Sequence, residues 1–454
     1  MTTLPPRLVI AAPSSGSGKT TLTTGLLGAL RARGPRVAPF KVGPDYVDPG
    51  YHALAAGRPG RNLDPVMVGA DRIPGLVAHG AAGADLAVVE GVMGLFDGRI
   101  GGDGSADGST AHLARLLDAP VVLVVDARGQ ARSVGALLAG FGGFDPRVRV
   151  AGVVLNRVGT NRHEEVLRAA CAEVGVPVLG VVPRRGELAV PSRHLGLVTA
   201  AEHGGAARAA VDAMTALVAE HVDLAAVEAL ARRAPATPVT PWDPADAVAG
   251  PVGGEPVVAV AGGPAFTFGY PEHAELLAAA GARVVTVDPL HDEALPPGTD
   301  ALVLPGGFPE EHAADLAANT ALHAAVRDLA GAGAPVHAEC GGLLYLARSL
   351  DGAPMCGVLP ADAAMGPRLA LGYRTATAAA HSPVAAAGET VTGHEFHRTV
   401  TTPRAGADAA WSWGGEREGF VAGPGGAVHA SYLHTHPAGR PEAVRRFVAA
   451  AARR

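Results

Sequence analysis

Short apolar, β-branched runs alternate with longer Ala- and Leu-rich segments along this chain, and that alternation limits the fold more than any other feature. Residues 8–12, 36–41, 86–90, 120–126, 150–156 and 177–182 are apolar on both faces, as strands buried on both sides are. Residues 20–33, 109–117 and 162–174 space their apolar positions at the helical period. Apolar strands separated by helices imply a parallel sheet covered on both faces. A second series of the same kind begins at 257–261 and continues at 283–287, 301–304 and 335–338. Between the two series, residues 231–256 are rich in Pro and Gly, so they should hold neither helix nor ladder hydrogen bonds and read as a linker. The expectation is an α/β chain of two doubly wound domains, 1–232 and 257–454, joined by a linker at 233–256.

With 454 residues, 48% hydrophobic and only 18% charged, the chain can bury two cores and is not a disordered polymer. A net charge of −6 argues against nucleic acid as a partner, because phosphates need a basic patch. Three cysteines make no disulfide framework and suit a reducing, cytoplasmic setting. Met1 to Arg7 carry no basic region followed by a long apolar stretch, and no apolar run approaches the roughly 18 residues that span a bilayer. The expected partners are small molecules rather than nucleic acid or membrane, and a homodimer is left open.

After the first strand the chain reads Ala12-Pro-Ser-Ser15-Gly16-Ser17-Gly18-Lys19-Thr20-Thr21 and enters a helix. A Gly-rich turn into a helix presents backbone N–H groups and the positive end of the helix dipole to an anion. Ser15 to Thr21 therefore read as an ATP-binding loop, with Lys19 reaching the terminal phosphates and Thr20 on Mg²⁺. Pro13 stands where the strict pattern has Gly. Lys41, Asp45 and Asp48 follow the second strand, and Glu90, Asp97 and Arg99 follow the third, all at the carboxyl ends where open α/β sheets bind ligands. We assign Thr20, Asp48 and Glu90 to Mg²⁺ and Lys41, Asp45, Asp97 and Arg99 to substrate and phosphate, since hard oxygen ligands suit Mg²⁺. The sequence leaves the division among Asp45, Asp48 and Asp97 open.

In the second half, a strand runs into Glu339-Cys340-Gly341-Gly342 and then a helical segment. A cysteine on a sharp strand-to-helix turn stands above the sheet, and a helix N-terminus beneath it should lower the thiol pKa. Gly306 and Gly307, after another strand, can form an oxyanion hole with Gly341. His434 is the candidate base and His436 the candidate for orienting it. Cys171 and Cys356 lack such surroundings and read as packing residues.

With these residues in place, the chain resembles the cobyrinic/hydrogenobyrinic acid a,c-diamide synthase family of cobalamin biosynthesis. The resemblance rests on 12–21, on Phe-Lys-Val-Gly-Pro-Asp-Tyr-Val-Asp-Pro at 40–49, on Glu-Gly-Val-Met-Gly-Leu-Phe-Asp-Gly at 90–98 and on the Cys340 turn. It implies an N-terminal P-loop NTPase-like domain similar to dethiobiotin synthetase and a C-terminal domain similar to class I glutamine amidotransferases. It further implies that Cys340, with His434, releases ammonia from glutamine, and that ATP·Mg²⁺ phosphorylates the a and c acetates of a corrinoid for ammonia to displace. Residues 41–64 look closer to members that use the cobalt-free ring. Where class I amidotransferases carry His-x-Glu, this chain carries His434-x-His436. A switch ATPase of the ParA/MinD kind would place a further Lys early in the phosphate loop and would have no glutaminase half. A dethiobiotin-synthetase-like enzyme would leave everything after Pro256 without a purpose.

Overall fold

The structure, a computed structural model, describes residues 1–100, 106–184, 192–193, 196–197 and 199–453. It divides into two compact units, Met1–Trp242 and Asp243–Arg454.

In the first unit, seven strands form one sheet in the order Val178–Pro183, Val150–Val158, Val121–Asp126, Arg7–Ala11, Leu86–Glu90, Val37–Val42, Arg61–Leu63. Every neighbouring pair is parallel. The continuous apolar runs explain this: Arg7–Ala11, Val37–Val42 and Leu86–Glu90 are buried at every position, which only a sheet covered on both faces allows. Lys19–Ala32 follows the first strand, and the N-caps Ser109 and Thr160 accept from the His112 and His163 amides at the starts of Thr110–Leu116 and Asn161–Glu173. Arg61–Leu63 was not among the expected strands; three residues are too few for a period to register.

The segment expected to be a bare linker is structured. Pro238–Val239 pairs antiparallel with Thr2–Thr3, and Pro244–Ala247 is helical with Asp243 as its cap. A single buried residue explains the anchoring: Arg7, fully buried, donates to the Pro235 carbonyl at 3.0 Å and to Thr237 Oγ1 at 3.2 Å. A buried guanidinium must find acceptors, and the Pro-rich stretch supplies carbonyls not committed to a helix.

The second unit has a six-stranded sheet ordered Arg283–Val287, Val257–Ala261, Thr299–Leu304, Val336–Glu339, Val428–Ser431, Phe420–Ala422. It is parallel except for the last strand, which runs antiparallel at the edge. A second sheet is built on a long hairpin, Asp362–Ala378 with Thr390–Thr402, which was not among the expected elements. Gly366, Pro367 and Gly372 interrupt its first arm, and its exposed and buried residues do not alternate regularly. No helix among the described residues is long and apolar enough to cross a membrane.

Candidate active sites

In the first unit, Gly16 and Gly18 have φ of 77° and 94°, the left-handed turns that carry the chain from strand to helix. Gly18 has a second constraint, since a Cβ there would lie 2.4 Å from Asn156 Nδ2. Asn156 donates to the Ser17 carbonyl at 2.9 Å, and Arg157 donates to the Gly16 carbonyl at 2.9 Å and to Asp126 at 2.6 Å. These two residues brace the loop from the end of the Val150–Val158 strand. In the sequence Asn156 reads only as a strand end, and nothing local to it signals this role. Lys19 Nζ is buried and donates to the Met93 and Ser14 carbonyls at 2.6 and 3.3 Å, and burial lowers its pKa. Ser15 and Gly16 are exposed, whereas Thr20 and Thr21 are half-buried in the first turn of the helix.

The acidic residues expected to gather here do so around Lys41. Its Nζ lies 2.8 Å from Asp48 Oδ2, 3.0 Å from Glu90 Oε1 and 3.6 Å from Asp45 Oδ2. Thr20 Oγ1 meets the same two carboxylates, at 2.8 Å from Glu90 and 3.1 Å from Asp48. Burial and the neighbouring Asp45 push Asp48 up to about 7, although Lys41 works against them. Burial would raise Glu90 too, but Lys41 and His52 hold it well below the usual carboxylate range. Burial would lower Lys41, and Asp48, Glu90 and Asp45 outweigh it. His52 Nε2, one helical turn after Asp48, sits 2.7 Å from Glu90 Oε2 and fixes the far oxygen. His52 was not among the expected site residues; its only signal in the sequence is its place four residues after Asp48.

Asp45 also shapes the backbone, since its Oδ1 accepts from the Val47 and Asp48 amides, both at 3.0 Å, and sets the turn that presents Asp48. Asp97 and Arg99 are exposed and, among the described residues, stand outside the hydrogen-bonded cluster around Lys41. Asp97 Oδ2 accepts from the Gly94 amide at 2.9 Å. Thr20, Asp48 and Glu90 offer only oxygen atoms, a set that fits Mg²⁺ with phosphate and water completing its shell.

In the second unit, Val336–Glu339 pairs in parallel with Val428–Ser431, so Cys340 and His434 emerge from the carboxyl ends of adjacent strands. Cys340 has φ 47° and ψ −101° and caps the short helix Gly341–Leu346; its amide is held by the Ser431 carbonyl at 2.7 Å. The strain of a non-Gly residue at positive φ is what lifts its side chain out of the sheet. Gly342 is needed beneath it, because a Cβ there would lie 2.2 Å from the Leu304 carbonyl. The Gly306–Gly307 loop closes on the turn, with a Cβ on Gly341 meeting Gly307 N at 2.9 Å. A Cβ on Gly306 would meet His434 Cε1 at 2.5 Å.

The expectation of a lowered thiol pKa is corrected. Burial, with Glu310 next, pushes Cys340 far up, and the Gly341 amide beside the sulfur only partly offsets it. Cys340 is 4% exposed and the helix has six residues, so desolvation outweighs the dipole. His434 is fully buried, and burial lowers it to about 4 despite the charge of Glu339. Cys340 therefore rests as a thiol and His434 as a neutral imidazole.

His436, expected to orient His434, packs its ring on Tyr270 with centroids 4.1 Å apart, and its Nδ1 accepts from the Ala438 amide at 3.2 Å. Glu339 Oε2 stands 3.8 Å from His434 Nδ1, and Glu339 Oε1 accepts from Thr435 N at 3.1 Å and Oγ1 at 2.9 Å. Burial would raise Glu339, but His337 and His434 bring it down to about 2. Glu339 was expected only as part of the turn before Cys340, with no role of its own. Cys171 and Cys356 are buried. No group of three or more His, Cys, Asp or Glu among the described residues forms a metal cluster.

Residues 8–198 match the CobQ/CobB/MinD/ParA nucleotide binding domain, and residues 257–442 match the CobB/CobQ-like glutamine amidotransferase domain. A protein of Mycobacterium tuberculosis (strain ATCC 25618 / H37Rv) named hydrogenobyrinate a,c-diamide synthase is 61% identical, with 98% of each chain covered. The chain belongs to the a,c-diamide synthase family. A Streptomyces coelicolor relative of the same name is 56% identical over 98% of this chain and 97% of its own. A cobyrinate a,c-diamide synthase of Syntrophotalea carbinolica is 45% identical over 98% of both chains. In a,c-diamide synthase terms, the Lys19–Lys41 cluster lies in the nucleotide-binding half and Cys340 in the amidotransferase half.

Proposed function

We propose that this chain uses ATP and glutamine to amidate the a and c acetate carboxylates of hydrogenobyrinate, in the cytoplasm. The observation that carries the reading is Cys340 on a strained strand-to-helix turn with the Gly306–Gly307 loop closed against it, in a chain that also holds a Lys19–Thr20 phosphate loop. Relatives named for hydrogenobyrinate are 54 to 61% identical and the one named for cobyrinate above is 45% identical, which favours the cobalt-free ring.

In the first unit, Thr20, Asp48 and Glu90 would hold Mg²⁺, which when bound offsets charge on the β- and γ-phosphates. Lys19 reaches those phosphates as charge moves toward the leaving ADP. A substrate carboxylate oxygen attacks the γ-phosphorus, ADP leaves, and the acyl phosphate so formed has phosphate as its leaving group. Ammonia attacks the acyl carbon, phosphate departs and a proton is lost, giving the amide. Lys41, which Asp45, Asp48 and Glu90 surround, would pair with the entering carboxylate or the transferred phosphoryl group by exchanging one of these partners.

In the second unit, His434 takes the Cys340 proton as sulfur attacks the glutamine amide carbon. The oxyanion meets the amides of Gly307 and Gly341, and the imidazolium returns its proton to the leaving ammonia. Water then hydrolyses the thioester to glutamate. Glu339 is the group that orients and charges against His434.

The reading is tested by giving the chain hydrogenobyrinate and cobyrinate separately, with ATP, Mg²⁺ and either glutamine or ammonium, and following products by mass spectrometry. The expected result is a diamide from either nitrogen source, formed faster from the cobalt-free ring. ATP hydrolysis with no amide from either ring would sink it. Gly306→Ala is a sharper probe of the second unit. Its methyl would displace His434, and a displacement of that order costs roughly 100-fold in glutamine hydrolysis. Unchanged glutamate release would remove His434 from the mechanism.

A further inference from the structure

The strand that ends at the nucleophile carries a histidine with no step of its own in the glutamine chemistry. His337 and Glu339 lie two residues apart on Val336–Glu339 and share one face of the sheet, while Val336 and Ala338 turn the other way into the core. His337 Nε2 stands 3.5 Å from Glu339 Oε1, and each side chain is 13% exposed. The same oxygen accepts from the Thr435 amide at 3.1 Å and from Thr435 Oγ1 at 2.9 Å. Oε2 is the oxygen left toward the base, 3.8 Å from His434 Nδ1. Anchoring Oε1 from two directions fixes the carboxylate plane, and with it the place of Oε2.

The surroundings give that contact weight. His337 sits opposite His429 in the register of the adjacent strand, with ring centroids 5.9 Å apart, and the His273 ring lies 6.0 Å away. Burial lowers His273 to about 4 and His429 well below its ordinary value, so neither is charged at neutral pH. Val303, Leu304, Val444 and Phe447 help to wall the cavity that His337 and Glu339 both line. Beside such walls a carboxylate depends on the donors the protein supplies. Burial would raise Glu339, and His337 comes first among the groups that hold it down, ahead of His434 and the Thr435 amide.

We propose that His337 is a positioning residue for glutamine hydrolysis, anchoring Glu339 Oε1 and so setting where Oε2 stands against His434. The proposal rests on the amidotransferase reading of Cys340 and adds a fourth member to the row Cys340, His434, Glu339. Acting at one remove from the reacting atoms, His337 affects kcat for glutamine rather than KM.

The test measures glutamate release from glutamine by the full chain, with ATP, Mg²⁺ and hydrogenobyrinate present. His337→Phe keeps a ring and removes the donor, and kcat should fall on the order of 10-fold with KM unchanged, the lower end of what a hydrogen bond to a charged group is worth. His337→Gln, whose amide nitrogen can take the place of Nε2, should restore kcat to within about threefold of the unmodified chain. The third comparison repeats His337→Phe in a Glu339→Ala background, where no carboxylate is left to hold. There it should cost less than about twofold, because residues that act through one another are not additive. Losses that multiply in the double variant would make His337 a packing residue and overturn the proposal. A His337→Gln variant no better than His337→Phe would overturn it too, as would a His337→Phe chain with unaltered kcat. An unmodified chain that releases no glutamate refutes the amidotransferase reading itself, and the proposal with it.

Discussion

Cys340→Ala is expected to abolish amide formation from glutamine, by at least ~10⁴-fold, while amide formation from ammonium continues. The size follows from the chemistry, because the sulfur forms the covalent intermediate and alanine offers no nucleophile in its place. Cys171 and Cys356 are buried within other parts of the chain, and Cys356 lies against Tyr345 beneath the turn. Removing one buried sulfur should disturb the fold little. The backbone at φ 47° is held by the Ser431 carbonyl and by Gly342 under the turn, not by the sulfur itself. Ammonium bypasses this unit, so a folded variant still forms the diamide on the phosphorylating unit. Glutamate release and diamide yield, measured in the same reaction by mass spectrometry, separate the two halves. A variant that still uses glutamine at an appreciable rate would end the case for Cys340 as nucleophile, and one that also fails with ammonium would show that the two activities are not separable.

Much of this was legible in the sequence because the informative residues sit at strand ends. Lys41, Asp48, Glu90 and Cys340 each lie at or just beyond the end of an apolar run, and a parallel sheet brings such ends to one edge. The phosphate loop was legible through Gly16 and Gly18, whose positive φ no other residue adopts cheaply. What remained hidden depends on tertiary register. His52 reaches Glu90 only because the helix Asp48–Ala56 packs on the strand Val37–Val42, the neighbour of Leu86–Glu90, and Asn156 reaches Ser17 across an intervening strand. Arg7 looked like the residue before a strand, yet it is the buried anchor of the Pro-rich segment. The thiol pKa was misjudged for a similar reason. A Cys before a helix suggests a favourable dipole, whereas its near-complete burial, which decides the sign, is not written locally.

Glu339→Gln should lower kcat for glutamine by roughly 100- to 1,000-fold with little change in KM, less than the loss on removing the charged partner of a tightly bonded triad histidine. The substitution keeps the shape of the side chain and an oxygen for the Thr435 contacts but removes the charge 3.8 Å from His434 Nδ1. In the folded chain burial lowers His434 to about 4, and the Glu339 charge opposes that shift. Removing an anion disfavours the imidazolium, so the His434 pKa moves further down. The acid limb of the kcat profile, where protonation disables the base, should therefore shift to lower pH while the plateau falls. Both movements have one cause: a weaker base deprotonates at lower pH and pulls less strongly on the Cys340 proton, which burial already makes hard to remove. A role limited to holding Thr435 would reduce the rate and leave the limb in place. His436→Ala supplies the contrast, since its ring packs on Tyr270 and its Nδ1 serves the Ala438 amide; a loss under about tenfold with an unmoved acid limb is expected. If His436→Ala moves the limb and Glu339→Gln does not, the orienting group is His436, as the order of residues near the C-terminus first suggested.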